Sequence, residues 1–471
     1  MFFKEIAITR RRIHFIGIGG IGMSGIAEIL LNLGYRISGS DLRSSLITKR
    51  LASLGAAFFE GHAAGHIGDA DAVVVSSAVP AENPELVEAQ RRRVPVIQRG
   101  ELLAELMRLK FGIAIAGSHG KTTTTSMTAA VLNHARKDPT VVVGGRVNAM
   151  GSNARLGKSE LLLVESDESD SSLLKLAPVI AVITSIDREH LDHYQSFDRL
   201  KETFLEFANK VPFYGSVILC FDDPNVRELL PRIRRRCLTY GMAPEADLVI
   251  SEVDCGHFRS CFRLRLQGKD LGEFEVRGAG RHNVLNASAA VLVGLQLEIP
   301  PDVIREGLGS FSGVDRRFQV RGQAGGVTVI DDYGHHPTEI AATLAAARSC
   351  EFRRIHVLFQ PHRYTRTHLL AEEFTRCFED CDRLYVLDIY GAGEAAIPGV
   401  DAEGLMRRIR SVSPAVVEYV GSMDAGIEKV VAEAQPGDVI ITLGAGSIWQ
   451  AGETILARLA DLPASVSLTK N

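Results

Sequence analysis

The apolar run from Phe111 to Ala116 passes directly into Gly117-Ser118-His119-Gly120-Lys121-Thr122-Thr123 and then into a helix-like stretch. No other feature restricts the fold so strongly. A buried strand has to end there, a glycine-rich turn has to expose backbone N–H groups, and a helix has to begin at Lys121. That order belongs to α/β proteins with mostly parallel sheets. It also points to a nucleoside triphosphate, and ATP is the expected energy source. The N–H groups cradle phosphate oxygens, Lys121 reaches the β/γ-phosphates, and Thr122 is placed to ligate Mg²⁺. The loop is a shortened variant, because Ile115 stands where the usual pattern has its first glycine. An ordinary glycine turn with a solvated lysine does not require strand, glycine, lysine, threonine and helix in this sequence.

Length and pattern extend the argument. A chain of 471 residues has room for about three domains. Short β-rich runs alternate with helical stretches throughout. Strands are expected at Ile13–Ile18, Arg36–Gly39, Ala72–Ser76, Ile113–Ala116, Leu161–Val164, Val179–Thr184, Ser216–Cys220, Val327–Ile330, Ile355–Phe359, Arg383–Leu387 and Asp438–Thr442. We place boundaries near 110 and 318, giving segments 1–110, 111–318 and 319–471. Leu248 to Val276 alternates polar and apolar residues and reads as antiparallel strands grafted on the middle domain.

Composition removes several classes of function. Net charge is −4, and the runs Arg91–Arg93 and Arg234–Arg236 are short and isolated, so nucleic acid is not an expected partner. No stretch approaches the ~18 apolar residues of a membrane span. Met1 to Arg12 lacks the apolar core of a leader. The seven cysteines are scattered, as reduced thiols of a cytoplasmic protein would be.

Gly17-Ile18-Gly19-Gly20-Ile21-Gly22 follows a strand and opens a helix, and Asp41 lies about 20 residues further on. An NAD-dependent oxidoreductase is one reading. The physics is less specific: the glycines admit any diphosphate, a UDP-sugar included. A second, ATP-type loop in the same chain argues against redox chemistry. The strand ending at Ser76-Ser77 brings hydroxyls to the carboxyl edge of the first sheet, where open α/β sheets bind ligands.

Leu161–Val164 runs into Glu165, which suits a Mg²⁺ site beside the loop; Asp167, Glu168 and Asp170 read singly as a solvated acidic loop. His190 follows another strand among carboxylates and is placed for a second metal or for substrate. Further on, Asp331-Asp332-Tyr333-Gly334-His335-His336-Pro337 joins a strand end to a helix start, without metal-site spacing, and favours polar recognition. Arg363 and Arg366 stand at another helix start, an unfavourable place for cations unless they meet an anion. The turn at Gly444-Ala445-Gly446 is assigned no chemistry.

Together, Gly117–Thr122, Glu165, His190-Leu191-Asp192, His282–Asn286 and Asp332–Pro337 resemble the Mur ligases of peptidoglycan synthesis, in the family's order and over nearly the whole chain. The resemblance implies a UDP-binding Rossmann-like domain, a central ATPase domain and a C-terminal Rossmann-like domain. Gly17–Gly25, Asp331–Glu339 and Gln360–Thr367 are most similar to the member acting first. That implies joining L-alanine to the lactyl carboxylate of UDP-N-acetylmuramate through an acyl phosphate, with ATP and Mg²⁺. It further implies Lys121, His190 and Arg317 as catalytic residues. Gly117, Ser118, His119, Gly120, Thr122, Thr123, Asn283, Asn286, Arg317 and Asp332 would hold ATP, Thr122 and Glu165 the Mg²⁺ on its phosphates, and His190 a second Mg²⁺. Gly19, Gly22, Asp41, His62, Ser76 and Ser77 would surround the UDP-sugar, and His335, Arg363 and Arg366 the amino acid. Other members carry a carbamylated lysine after the histidine motif; the register here puts Phe204 there and Lys201 a turn earlier, so none is assigned. The alternatives are a relative that attaches a peptide to the same sugar nucleotide in recycling, the oxidoreductase, and a nucleotide-binding regulator without turnover.

Overall fold

The structure is a computed structural model that describes residues 11–76, 78–147, 152–166, 168–169 and 172–461. It contains three sheets and divides into two compact units. The first unit runs to Glu252 and takes in Phe262–Glu275 and Leu285–Ser312; the second comprises Val253–Cys261, Val276–Val284 and the chain from Gly313 onward.

The first unit opens with β1 (Arg12–Ile16), β2 (Arg36–Asp41), β3 (Ala57–Glu60), β4 (Ala72–Val75) and β5 (Val96–Gln98). They form a parallel sheet in the order β3-β2-β1-β4-β5. Parallel strands covered on both faces need apolar side chains on both, and Phe15, Ile16, Val73 and Val74 are fully buried. The strand order reverses at β1, so the loop after it, Gly17–Gly20, stands at the switch point.

The central sheet holds β6 (Phe111–Ala116), β7 (Thr140–Val147), β8 (Ser152–Arg155), β9 (Leu161–Glu165), β10 (Ile180–Ile183), β11 (Ser216–Cys220), β12 (Cys237–Gly241), β13 (Leu248–Asp254), β14 (Arg259–Leu266) and β15 (Lys269–Arg277). Their order is β15-β14-β13-β12-β11-β10-β6-β9-β7-β8. β6 lies between β10 and β9, parallel to both, so the phosphate loop leaves the sheet at a second switch point. The segment read as antiparallel strands on the middle domain does form strands, β13–β15, at the edge of the central sheet, but β13 joins that sheet in parallel with β12. Gln267 and Gly268, with φ of 47° and 86°, turn β14 into β15 as a two-residue hairpin requires.

The helix Lys121–His134 carries four consecutive threonines, poor helix formers by propensity. All four are buried, and tertiary packing overrides propensity there. Hydroxyls deeper in the helix are satisfied along it: Ser126 Oγ donates to Thr122 O at 2.7 Å and Thr128 Oγ1 to Thr124 O at 2.8 Å.

The second unit is built on β16 (Gln319–Ala324), β17 (Val327–Asp332), β18 (Ile355–Phe359), β19 (Arg383–Leu387), β20 (Val416–Gly421) and β21 (Val439–Leu443). Their order is β16-β17-β21-β18-β19-β20, with only β16 antiparallel to its neighbour. Phe359, Phe374 and Phe378 fill one face, and Leu358, Tyr385 and Ile440 the other. Alternate residues of β18 thus serve opposite layers. Among the described residues, no helix is long and apolar enough to cross a membrane.

Candidate functional site

The carboxyl ends of β6, β9 and β10 bring together the residues of the phosphate loop. Gly117 and Gly120 adopt φ of 134° and 79°, conformations that favour glycine. A Cβ on Gly117 would lie 2.1 Å from Thr184 Oγ1, and one on Gly120 would lie 2.4 Å from Asn286 Oδ1. The loop is therefore clamped on both sides. Thr184 Oγ1 donates to His119 O at 2.5 Å, Ser118 N donates to Ser185 O at 2.9 Å, and His119 Nε2 lies 2.9 Å from Asp187 Oδ2. Asn286 accepts from Thr124 Oγ1 at 3.1 Å. This side chain, expected on ATP, also buttresses the loop.

Lys121 Nζ donates to Gly117 O at 2.6 Å, Ser118 O at 3.0 Å and Glu168 Oε1 at 2.7 Å. Burial pulls the lysine pKa down, but the carboxylates of Glu168, Glu189 and Glu165 outweigh it and hold the group above its ordinary range. Lys121 is charged. Glu168, expected singly in a solvated acidic loop, is instead buried beneath the lysine. A buried carboxylate requires such a partner.

Thr122 Oγ1 donates to Glu165 Oε1 at 2.9 Å, so hydroxyl and carboxylate already face one another as a shared cation would need. Glu168, Glu189 and His190 offer ligand atoms that all lie within 4.8 Å of one another. His190 sits at φ 54°, in the left-handed region that histidine tolerates better than most side chains. These oxygen and imidazole donors fit Mg²⁺. Phe204 is fully buried in the core, and Lys201 pairs with Glu228 at 3.0 Å and Asp198 at 3.3 Å.

At the first sheet, Gly17 N and Ile18 N donate to Ser40 O at 2.8 and 2.9 Å, and Gly19 N donates to Asp41 Oδ2 at 2.8 Å. Asp41 thus shapes the glycine loop directly. Ser76 Oγ lies 3.9 Å from where a Cβ of Gly17 would stand, and Gly22 faces the Arg99 guanidinium at 3.0 Å in the same sense. Arg99 escaped notice in the sequence because it opens a helix far from the glycine motif. His62 lies 3.0 Å from Ser40 Oγ. Ser77 falls outside the described residues.

In the second unit, Arg316 and Arg317 place guanidinium carbons 4.9 and 5.3 Å from the Tyr333 ring centre. Arg316 donates to Gly444 O at 2.6 Å, a role for the glycine turn that sequence reading left blank. Arg317 donates to Glu339 at 3.0 Å. Asp332 accepts from Phe318 N and Gly334 N, both at 2.7 Å. Burial, opposed by Arg317 and these N–H groups, raises its pKa to about 6. Asn283 donates to Ala279 O at 2.9 Å. His335 Nδ1 lies 3.1 Å from Tyr333 O, and its ring centre is 5.8 Å from that of His362. Arg366 donates to His362 O at 3.3 Å, while Arg363, at φ 71°, stands 3.6 Å from Glu394. Burial, with the neighbouring His335, Arg366 and Arg363, holds His362 neutral at a pKa of about 3.

The chain matches three family models: the Mur ligase family catalytic domain over residues 12–111, the Mur ligase middle domain over 115–294 and the Mur ligase glutamate ligase domain over 316–446. It is 63% identical to the UDP-N-acetylmuramate–L-alanine ligase of Solibacter usitatus, over 97% of each chain. It is 57% identical to that of Koribacter versatilis, over 96% of this chain and 97% of the relative. Among solved structures it resembles a UDP-N-acetylmuramate–alanine ligase from Thermotoga maritima, with a TM-score of 0.79 at 28% identity over 95% of this chain and 98% of the other.

Proposed function

The chain belongs to the Mur ligase family, and from that premise we propose that it joins L-alanine to the lactyl carboxylate of UDP-N-acetylmuramate, converting ATP to ADP and phosphate. One observation carries the reading. The phosphate loop, the Thr122–Glu165 pair and His190 meet at one sheet edge, in a chain related over almost its whole length to alanine-adding ligases. The NAD-dependent reading does not survive this relationship.

A carboxylate is a poor electrophile. One of its oxygens attacks the γ-phosphorus of ATP, the bond to the β-phosphate oxygen breaks, and ADP leaves. The acyl phosphate is then attacked by the neutral alanine amine to give a tetrahedral intermediate. Phosphate departs, the amine loses its proton, and an amide remains. Enzymatic work consists mainly of positioning and of neutralising negative charge. Lys121 supplies a fixed cation at the transferring phosphoryl group, and the loop N–H groups hold the β-phosphate. Thr122 and Glu165 would hold one Mg²⁺ and His190 would support a second, and these ions would supply neutralisation of phosphate charge. Asn283, Asn286, Arg317 and Asp332 serve the nucleotide. Gly19, Gly22, Asp41, His62 and Ser76 serve the UDP-sugar. His335, Arg363 and Arg366 orient alanine, with an arginine on its carboxylate. Segments 1–110, 111–318 and 319–471 divide these tasks, and the reaction is assigned to the cytoplasm.

The test is phosphate release with UDP-N-acetylmuramate, ATP and Mg²⁺ against each amino acid and against a tripeptide. Release is expected with L-alanine. No ADP when the sugar nucleotide and alanine are both present would end the reading, and a preference for the tripeptide would move the chain to the recycling branch.

A further inference from the structure

Glu85 is a fully buried carboxylate in the first turn of the helix Pro84–Arg91. Asn83 Oδ1 caps that turn, accepting from Glu85 N at 2.9 Å and Leu86 N at 3.3 Å, and the helix N-terminus favours the negative charge. Around the carboxylate stand groups from three separate segments. Ser40 Oγ, at the end of β2, donates to Oε2 at 2.5 Å. His14 Nε2, from β1, lies 3.5 Å from Oε2. His62 Nδ1, after β3, lies 3.4 Å from Oε2. Ala63 N donates to Oε1 at 3.3 Å, and His66 Nδ1 lies 2.9 Å from Oε1. His14 is closed off entirely, whereas His62 and His66 keep 18% and 23% of their side chains exposed.

The proton inventory fixes the tautomers. An ionised carboxylate only accepts, so His66 carries its proton on Nδ1. Ser40 has one proton, already given to Glu85; its oxygen can therefore only accept from His62 Nδ1, 3.0 Å away. In its neutral form each of these half-open imidazoles then has Nε2 unprotonated, a hydrogen-bond acceptor. The same Ser40 carries, on its backbone, the carbonyl that accepts from Gly17 N and Ile18 N. One residue thus joins the glycine loop to the carboxylate that sets the histidines.

We propose that Glu85 is a positioning residue for the sugar nucleotide: it locks His62 and His66 in the Nδ1–H tautomer, so that they meet N–H or O–H donors of the ligand as acceptors. This rests on the reading of the first sheet as the UDP-sugar site.

The test uses the full-length protein. UDP-N-acetylmuramate is titrated calorimetrically into wild type and Glu85→Gln, with ATP as a second titrant, and histidine tautomers are read from ¹⁵N chemical shifts. A glutamine presents an N–H₂ donor where the carboxylate accepted. The expected result is a Kd for the sugar nucleotide about tenfold higher, roughly the loss of one well-placed hydrogen bond. The ATP Kd should stay nearly unchanged, and the His62 signal should move away from the Nδ1–H pattern. Unchanged sugar-nucleotide affinity in the variant overturns the proposal while leaving the site reading intact. Failure of the wild type to bind UDP-N-acetylmuramate overturns both. Should the variant not fold, the wild-type spectrum still decides, because Nε2–H signals for His62 and His66 would refute the assignment.

Discussion

Lys121 illustrates what one side chain can be asked to do. Its ammonium touches two loop carbonyls and Glu168, so its charge is secured before any phosphate arrives. Lys121→Ala is expected to lower turnover by about a hundredfold or more, with UDP-sugar affinity preserved. Calorimetry beside a phosphate-release assay would check the split, and near-normal turnover would remove the lysine from catalysis. Arg363→Ala is expected to raise KM for alanine about tenfold, the loss of a charge-assisted pair, with KM for ATP little altered. Initial-rate measurements at varied alanine and ATP decide it. Lys121 was readable because strand, glycine and lysine are contiguous. Glu168 was not: its burial follows from a pairing with a residue 47 positions earlier, which no local pattern records.

At the scale of elements, strand ends proved more legible than what lies behind them. β6, β9 and β10 were evident as apolar runs, and their order in the sheet puts the loop at the switch point. The parallel joining of β13 to β12 was not evident, because alternating polar and apolar residues describe a half-exposed strand equally well in either arrangement. His14, Ser40, His62 and Glu85 are likewise scattered in sequence, and the order β3-β2-β1-β4 gathers them. Burial would raise the pKa of Glu85, but hydrogen bonds from His14, Ser40 and His66 hold it at about 2. The unfolded chain therefore binds a proton at Glu85 first as pH falls. The stability this carboxylate contributes is complete above its ordinary pKa near 4.5 and is lost as pH drops through about 2. Urea melts over that window should show a shallower acid loss in Glu85→Gln than in wild type; an equal slope would contradict the linkage.

For the molecule as a whole, pH sensitivity is divided between titrations of opposite sign. In the second unit, burial and then the charge of Arg317 push His282 down to about 4, so its unfolded form binds more protons between about 6.5 and 4 and stability falls on acidification. Asp332 is raised to about 6, so the native state binds the extra proton and stability rises over nearly the same interval. The two offset one another. His282→Gln should leave the Asp332 contribution exposed, and its stability relative to wild type should increase from pH 6.5 to 4. Denaturant melts at several pH values would show this, and parallel curves would refute it. Neither shift was readable from the sequence, where both residues sit in polar motifs that look solvated.

The contact between Lys121 and Glu168 has a last consequence. An incoming triphosphate does not meet a bare cation; the ammonium's three donors are already engaged, one of them by an anion the protein keeps there. Nucleotide affinity is then a difference between two ion pairs, and the chain can retune it at Glu168 without touching the loop that grips the phosphates. Glu168→Gln is accordingly expected to cost about 3 kcal/mol in the nucleotide-free protein and to recover more on adding ATP than wild type does, as thermal melts in chelator with and without nucleotide would reveal.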